Sequence, residues 1–393
     1  MKQIDKMGKL NRKIVPSSIQ MPYTSALLGN FLIFGVIITA VVLLMINREL
    51  YYLSVQEDQV IEWMTFWVFF IAGAICMQAA YRQYRGMIKI PWFLFCVGVF
   101  CFFVALEEIS WCQRLLGYRP PAYFLEQNFQ QEFNVHNVVD SFLRTLALQI
   151  VILGFGIVLP AVWLIPAVRR LSWKMAIVPP PILLAPAFLA TYILYEIYPW
   201  RYSGELVELM LGLGFVFSAM AISLFFKNPD GSRSLFPARI VALIFVVIVL
   251  SVIMTLVSRA RLRNQPELIE VTKKEIVALG NDFRKAIRLS KKPITHCKLH
   301  NRIFAHVEKY KIHSLYNGYF WNLTKQGLPE ERAQFFIDPW NTAYWIWQVC
   351  DPERKQMKVF IYSFGPNRRR DSVPWKISGD DIGVPIYEFG FKE

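Results

Sequence analysis

One polar stretch, set between two apolar runs, holds the side chains that could carry out chemistry in this chain. They are Glu107, Glu108, Arg114, Glu132 and His136. Glu132 and His136 are four residues apart, so a helical segment would place both on one face. Carboxylates beside an imidazole can bind zinc or iron, and they can also transfer protons as an acid–base pair. The spacing therefore predicts either a metal site or an acid–base site.

Further carboxylates lie at the ends of other apolar runs. Glu62 begins one such run, Glu196 ends another, and Glu205 and Glu208 begin a third. If these runs cross a membrane, all of these side chains fall on the same side as Glu107. A charge at the centre of a bilayer costs about 2.5–3.5 kcal/mol on insertion scales, and less near the interface. We therefore expect the carboxylates to line a polar cavity near the membrane surface.

An enzyme built on these residues would act on a lipid or a lipid-linked substrate at the outer face of the membrane. Its catalytic residues would be Glu62, Glu107, Glu108, Arg114 and His136. Glu132 and His136 would bind a divalent transition metal or move protons. Glu107 and Glu108 would supply a ligand or a base, and Arg114 would grip an anionic group.

Two simpler interpretations compete with catalysis. The carboxylates could be interfacial groups that are solvated and paired with Arg114, Arg144 and Arg201. They could also form a pocket for a polar ligand or a lipid head group, with Gln113 and Arg114 as anchors. All three interpretations are compatible with the spacing.

Composition indicates that membrane helices position these residues. The chain of 393 residues is 55% hydrophobic and 18% charged, which suits a bilayer better than water. Runs of about twenty apolar residues can cross a membrane as helices. Seven such runs are predicted near residues 26–46, 61–80, 90–107, 146–165, 175–197, 206–226 and 238–257. The predicted fold is a polytopic α-helical membrane domain, residues 1–257, followed by a small α+β domain, residues 258–393.

The basic residues predict the orientation of the chain. Lysines and arginines gather at the N-terminus and in every second loop, whereas the alternate loops are richer in acid. The positive-inside rule then places the N-terminus in the cytoplasm and the C-terminal domain in the periplasm of a bacterial inner membrane. Membrane lipids are therefore expected partners. This topology accounts for the net charge of +14, and no recognition motif indicates a nucleic acid.

The fifth predicted span carries Pro179, Pro180, Pro181 and Pro186. Each proline removes a backbone donor, so we expect this helix to be kinked or interrupted and buried against its neighbours. A broken helix is also found in transporters, but no inverted repeat accompanies this one, which makes a transporter the weakest hypothesis.

The C-terminal part begins with an amphipathic pattern and continues with turn and strand signals. Apolar residues recur at three- and four-residue steps between 267 and 289, which predicts a long helix. Asp338-Pro339-Trp340 predicts a turn whose free amides the aspartate caps, and Asn341 suits a left-handed backbone. The runs Tyr344–Trp347 and Val359–Tyr362 are strong strand formers.

These residues, taken in order, resemble the C-terminal half of the major pseudopilin of type II secretion. That family carries a D-P-W-G-x-x-Y turn, a strand ending in Y-S-x-G and an acidic loop ending in D-I. This chain has D-P-W-N at 338–341, Y-S-F-G at 362–365 and D-I at 381–382. The resemblance implies a pilin-like layout, in which a membrane helix leads into a long amphipathic helix and a small antiparallel sheet. The membrane domain resembles only uncharacterised bacterial membrane proteins, through E-E-x-S-W-x-Q-R and H-N, and this implies no activity.

Departures from that family indicate a tethered domain rather than a filament subunit. Filament subunits carry a processing site and a glutamate early in their first helix, whereas residues 239–257 contain no glutamate and no such site is visible before residue 238. Without cleavage the domain would stay attached to the bilayer.

The resemblance also implies calcium in the acidic loop. The matching oxygen donors are Asn367, Asp371, Asp380 and Asp381, with Asn367 where the family carries an aspartate. Calcium takes six to eight oxygen ligands, and carboxylates supply most of the affinity. The alternative is a solvated loop in which the arginines at 368–370 pair with these acids.

The six cysteines show no C-x-x-C or zinc spacing. Cys297 and Cys350 both lie in the C-terminal part, so they could form a disulfide in an oxidising compartment. His296 and His300 have the spacing of a helical metal pair, but exposed histidines in a loop or helix explain them as well.

Two functions follow from these patterns. The first is an interaction protein that tethers a pseudopilin-like domain in the periplasm, where it docks secretion or pilus-type envelope proteins. The second is the lipid enzyme outlined above. The C-terminal resemblance favours interaction over catalysis.

Overall fold

The computed structural model describes residues 23–390 except 57, 88–89, 129, 228–236, 264, 291–299, 305–331, 333 and 352–355. The chain forms two compact units. The first comprises Met1–Trp111 and Val139–Thr255, and the second comprises Cys112–Val138 and Leu256–Glu393. The predicted boundary between residues 257 and 258 therefore falls close to a boundary between units, but the second unit also takes in a segment from the middle of the membrane domain.

Helices account for most of the described residues. In chain order they are α1 (Tyr23–Ile46), α2 (Arg48–Ser54), α3 (Val60–Met87), α4 (Trp92–Glu108), α5 (Gln113–Leu116), α6 (Ala122–Gln127), α7 (Ser141–Gln149), α8 (Leu159–Val162), α9 (Pro166–Lys174), α10 (Ala185–Ile197), α11 (Ser203–Lys227), α12 (Pro237–Arg263) and α13 (Pro266–Ser290). A π-helical segment, Ile150–Val158, joins α7 to α8, and 3₁₀ turns occupy Ser110–Cys112 and Ile182–Leu184.

Five helical segments of the described chain are long and apolar enough to cross a membrane. They are Thr24–Ile46, Val60–Arg85, Ser141–Val162, Ser203–Phe225 and Ile240–Ser258. The sequence-based expectation of a membrane-spanning helical part is met at this level. Two further predicted spans coincide with shorter apolar helices, the 17-residue α4 and Ile182–Ile197. The count of seven spans stays a prediction.

The prolines interrupt the fifth apolar run, as predicted. Residues 177–181 are not helical, and regular helix begins only at Ala185. Pro186 lies in the first turn of α10, where a missing N–H costs no intrahelical bond.

The core of the first unit centres on α11, the most buried of the five apolar segments, and includes a group of phenylalanines. Phe215 of α11 stacks on Phe155 with ring centroids 4.6 Å apart, and the ring of Phe69 lies 5.9 Å from that of Phe215. Gly156 allows the close approach of α10, because a Cβ there would lie 2.1 Å from Cγ of Phe188.

The second unit is a small α+β fold. Its strands are β1 (His300–Arg302), β2 (Trp345–Asp351), β3 (Gln356–Ser363) and β4 (Ile382–Gly390), paired antiparallel in the order β1-β2-β3-β4. Helix α13 buries one apolar face against the sheet; this core includes Ile276, Leu279, Phe283, Ile346, Ile361 and Ile386. The predicted long helix and both predicted strands are confirmed.

Candidate functional site

The first candidate site is an acid cluster in the first unit, formed by Glu62, Glu107, Glu108, Glu205 and Glu208. Glu62 lies in the first turn of α3, Glu205 in the first turn of α11, and Glu108 is the last residue of α4. Glu108 interacts electrostatically with Glu208, Glu205, Glu62 and Glu107, in decreasing order of strength. Carboxylates at the ends of three separate helices therefore influence one another electrostatically, whereas the polar cavity that they are expected to line stays a prediction.

Two members of the acid cluster also have local structural tasks. Glu62 accepts a hydrogen bond from the backbone N–H of Asp58 and so closes the N-terminal turn of α3. Glu107 is buried and accepts a hydrogen bond from Nε1 of Trp111 at 2.6 Å. A catalytic role for Glu107 would have to coexist with this bond.

The backbone after α4 turns in an unusual way. Ser110, Trp111 and Cys112 have φ angles of 46°, 54° and 65°, which is the left-handed region that costs ordinary residues about 1 kcal/mol or more each. Because α4 ends at Glu108, the residues Glu107, Trp111 and Arg114 do not lie on one helical face. Trp111 still reaches Glu107, but through this turn. The side chain of Arg114 lies outside the described residues.

The segment around Glu132 and His136 is not helical. Residues 131–140 form turns and coil, so the predicted four-residue alignment on a helix is wrong. Oε2 of Glu132 accepts from Nδ2 of Asn134 at 3.0 Å, and its backbone carbonyl accepts from Asn128 at 2.8 Å. His136 is half-buried. Within the described residues, no group of three or more His, Cys, Asp or Glu side chains is placed to hold a metal ion.

Instead, a hydrogen-bond network stabilises the conformation of this segment. Asn128 is fully buried, and its Nδ2 also donates to Oδ1 of Asn134 at 2.8 Å. Oε1 of Gln113 accepts from the backbone N–H of Phe133 at 2.6 Å, which ties the two ends of the segment together. Gln113, Asn128, Glu132 and Asn134 therefore hold a compact loop through hydrogen bonds.

The same loop is part of the core of the second unit, which sequence reasoning missed. Leu125 is fully buried and packs against Phe335 and Ile337. The guanidinium of Arg302 donates to the carbonyl of Asn128, and Nε2 of Gln131 donates to the carbonyl of Phe335 at 3.3 Å. Burial lowers the pKa of Arg302 to about 10. The sequence around the loop carries no local signal for these contacts, because the bonded partners lie 174 and 204 residues away.

The second candidate site is the turn that carries the pseudopilin resemblance. Asp338 is fully buried; its carboxylate accepts from the backbone N–H of Trp340 at 3.0 Å and of Thr342 at 2.9 Å. Oγ of Ser363 donates to the other oxygen of Asp338 at 2.6 Å. Asn341 has a φ of 62°. The predicted cap and the predicted left-handed asparagine are both confirmed, and the Asp338–Ser363 bond joins the D-P-W and Y-S-x-G stretches.

A second buried carboxylate, Glu275 of α13, lies in the same unit. It accepts hydrogen bonds from the guanidinium of Arg332 and from the hydroxyl of Tyr344. Burial raises the pKa of both Glu275 and Asp338, although their donors act in the opposite direction. Both acids connect elements of the fold rather than face a cavity in the described residues.

The acidic loop, residues 365–381, is closed by an arginine. Nε and Nη2 of Arg369 bind Oδ1 of Asp371 at 3.1 and 3.0 Å. Oδ2 of Asp371 accepts from Nδ2 of Asn367 at 2.6 Å and from the N–H of Asp380 at 3.2 Å. Both carboxylate oxygens of Asp371 therefore accept hydrogen bonds from N–H donors. Such donors do not coordinate a cation.

Asp381 is the remaining buried carboxylate of the acidic loop. Its Oδ2 accepts from the N–H groups of Asp371 and Ser372, and its Oδ1 is buried without a hydrogen-bond partner in the described residues. The hydrogen bonds of Arg369 to Asp371 agree with the arginine-paired alternative, and the calcium site that the resemblance implies stays a prediction.

Cys350 and His300 lie on the described sheet. Cys350 is disulfide-bonded, whereas Cys297 of the predicted pair lies outside the described residues, as does His296. His300 is in a strand; its ring stacks on Trp345 at 4.7 Å and its Nε2 lies 2.5 Å from the hydroxyl of Tyr362. A helical metal pair at His296 and His300 is therefore wrong, since His300 is not helical.

No family model, curated protein or solved structure matches this chain. The pseudopilin resemblance stays a prediction carried by residues 338–382. Two arrangements bear on function. One is the acid cluster in the helical unit, and the other is an α+β unit whose buried acids are held by hydrogen-bond donors.

Proposed function

We propose that this is a bacterial inner-membrane protein whose second unit is a periplasmic interaction domain. The observation that carries the proposal is the hydrogen bonding of that unit's acidic side chains. Asp338, Glu275, Asp371 and Asp381 all accept hydrogen bonds from neighbouring groups of the same unit. Among the described residues of this unit, these four acids stabilise its shape, and acids held in this way suit recognition better than catalysis.

Two further features support this reading. A disulfide at Cys350 fits an oxidising compartment such as the periplasm. The acidic loop is pre-organised by its own hydrogen bonds, yet it exposes Val373 with 53% of its surface accessible. A rigid loop that presents an apolar side chain loses little entropy when a partner binds. By the resemblance, the partners are secretion or pilus-type envelope proteins.

Site-specific photo-crosslinking in intact cells tests this proposal. A photoreactive amino acid at Val373 is expected to capture one or a few envelope proteins. The matched control is Val277, a valine of α13 with 48% exposure in the same unit. Capture of the same proteins at both positions, or of none at Val373, would argue against a docking surface on the acidic loop.

The acid cluster supports a second candidate function, acid–base chemistry on a lipid or lipid-linked substrate. The supporting observation is that the charged neighbours of Glu108 are themselves carboxylates. The candidate centres on Glu108 with Glu62, Glu107, Glu205 and Glu208, because these carboxylates interact, whereas the segment of Glu132 and His136 belongs to the second unit. Lipid profiles of cells that carry Glu108→Gln, with elemental analysis of the pure protein, would detect this chemistry; an unchanged profile and no bound transition metal would remove it.

A further inference from the structure

A cavity of about 400 Å³ lies within the first unit, between α1, α3, α11 and α12. Its wall on α12 is one helical face, formed by Ile240, Leu243, Ile244, Val247 and Ile248. The facing walls carry leucine, valine, isoleucine, methionine and phenylalanine side chains. Apart from the hydroxyl groups of Thr39, Tyr51 and Ser54, the lining is apolar.

The cavity communicates with the surface of the helical unit. Phe31 and Ile248 belong to its lining and are 74% and 42% exposed. All four long helices around it contain segments that are long and apolar enough to cross a membrane, so this surface faces lipid chains. Water is a poor occupant, because a buried water needs two to four polar partners.

We propose that this cavity binds one hydrocarbon chain of an amine-bearing phospholipid. Its volume falls within the range of about 300–1,000 Å³ that ligand sites occupy. Lipid tails outside are as apolar as the lining, so retention comes from close packing of one ordered chain rather than from the hydrophobic effect.

The polar end of the cavity indicates the head group. The hydroxyl of Tyr51 lines the cavity and accepts from Nε1 of Trp200 at 2.9 Å. Ile61 and Leu206 line the same cavity close to the N-terminal ends of α3 and α11, where Glu62 and Glu205 lie in the first turns, and Glu205 interacts electrostatically with Tyr51. Carboxylates at this end favour an ammonium group, which donates hydrogen bonds, over a second anionic group.

Photo-labelling with a phosphatidylethanolamine that carries a diazirine in one acyl chain tests the proposal on the full chain in nanodiscs. Residue-level mass spectrometry is expected to find adducts on cavity residues such as Ile244, Met64 and Leu213. Val241 and Phe245, which lie on the same helix but outside the lining, report bulk lipid. Adducts confined to Val241 and Phe245 would overturn the proposal, as would equal labelling by a phosphatidylglycerol probe.

Gly35 offers a substitution that fills the cavity. It lines the cavity, and a Cβ at this position would meet no atom within 4 Å. Gly35→Leu is therefore expected to fold, since leucine also favours helix more than glycine does, and to reduce cavity adducts at least fivefold. The control is Gly154→Leu, outside the lining, where a Cβ meets only one side-chain atom at 3.8 Å.

Ile244→Phe fills the cavity from the opposite wall and gives a second, independent test. Loss of cavity adducts in every folded filling variant, with the control unchanged, supports the proposal. Undiminished adducts in a folded filling variant would contradict it. The outcome does not depend on whether the second unit docks envelope proteins, because every residue involved belongs to the first unit.

Discussion

Buried carboxylates in the two units have different kinds of neighbours. In the second unit, Asp338 faces two backbone amides and the hydroxyls of Thr342 and Ser363. In the first unit, the strongest charged neighbours of Glu108 are four other carboxylates. A carboxylate held by donors is part of the framework, whereas carboxylates that face one another repel when ionised. The difference teaches that, among the described residues, burial brings like charges together around Glu108 and hydrogen-bond donors together around Asp338.

Removal of the Asp338 carboxylate should produce the largest effect. Asp338→Ala leaves the amides of Trp340 and Thr342 without their acceptor in a buried turn, and we expect the second unit to lose about 3–5 kcal/mol of stability. Hydrogen exchange of the β2 amides in the full chain measures this loss. Glu270→Ala, at an exposed acid on α13 of the same unit, is the control and should change little. Equal exchange in wild type and Asp338→Ala would mean that the buried network contributes no stability.

The pH dependence of the second unit follows from the same burial. Burial raises the pKa of Asp338 above the value of about 3.9 in unfolded chains, so the native state keeps its proton to higher pH. The free energy of unfolding should therefore fall as pH rises from about 4 toward the raised pKa, with Glu275 contributing in the same direction. Exchange of β2 amides, corrected for intrinsic rates, should show this slope, and Asp338→Asn should flatten it. A slope of opposite sign would show that the donors outweigh burial.

The acid cluster should respond with the opposite sign. Glu108→Gln removes one ionisable group from among carboxylates, and we expect stabilisation of the helical unit by up to about 1 kcal/mol, or about 2–4 °C in its thermal midpoint. Glu107→Ala is the contrasting variant, because it deletes the acceptor of Trp111 and should destabilise. Scanning fluorimetry in detergent compares the two. If both variants destabilise the helical unit, the acid cluster is also part of the structural framework.

The smallest effect concerns calcium. Because Arg369 already pairs with Asp371, we expect calcium to shift the thermal midpoint of the second unit by less than about 1 °C in the wild-type chain. Arg369→Gln frees one oxygen of Asp371 and should increase that shift. A large stabilisation of the wild-type chain by millimolar calcium, reversed by a chelator, would restore the calcium site that the family resemblance implies.

Local chemistry made much of the second unit predictable. Asp338 and Pro339 specify a turn within four residues, and the turn geometry then selects an asparagine at 341. The apolar spacing of α13 and the strand formers of β2 and β3 are likewise local patterns. Each of these signals is contained within one element, so the sequence alone was enough.

What the sequence did not predict depends on distant partners. No local pattern near Leu125 or Asn128 predicts their distant contacts. Leu125 packs against Phe335, and the carbonyl of Asn128 accepts a hydrogen bond from Arg302, about two hundred residues later in the chain. The left-handed turn at Ser110–Cys112 breaks a pattern that helical periodicity favoured, and no glycine marks it. The interpretation of Glu132 and His136 as a helical pair failed for this reason: their segment is shaped by contacts rather than by its own periodicity.

Cysteine accessibility tests the central claim, a periplasmic interaction domain that includes the loop of Cys112–Val138, most directly. Tyr123→Cys in the loop and Val373→Cys in the acidic loop, at side chains 59% and 53% exposed, should both react with a membrane-impermeant maleimide added to spheroplasts. Tyr84→Cys, 52% exposed on the opposite predicted side, should react only after the membrane is opened. Protection of Val373→Cys, or opposite behaviour of the two loops, would contradict the account.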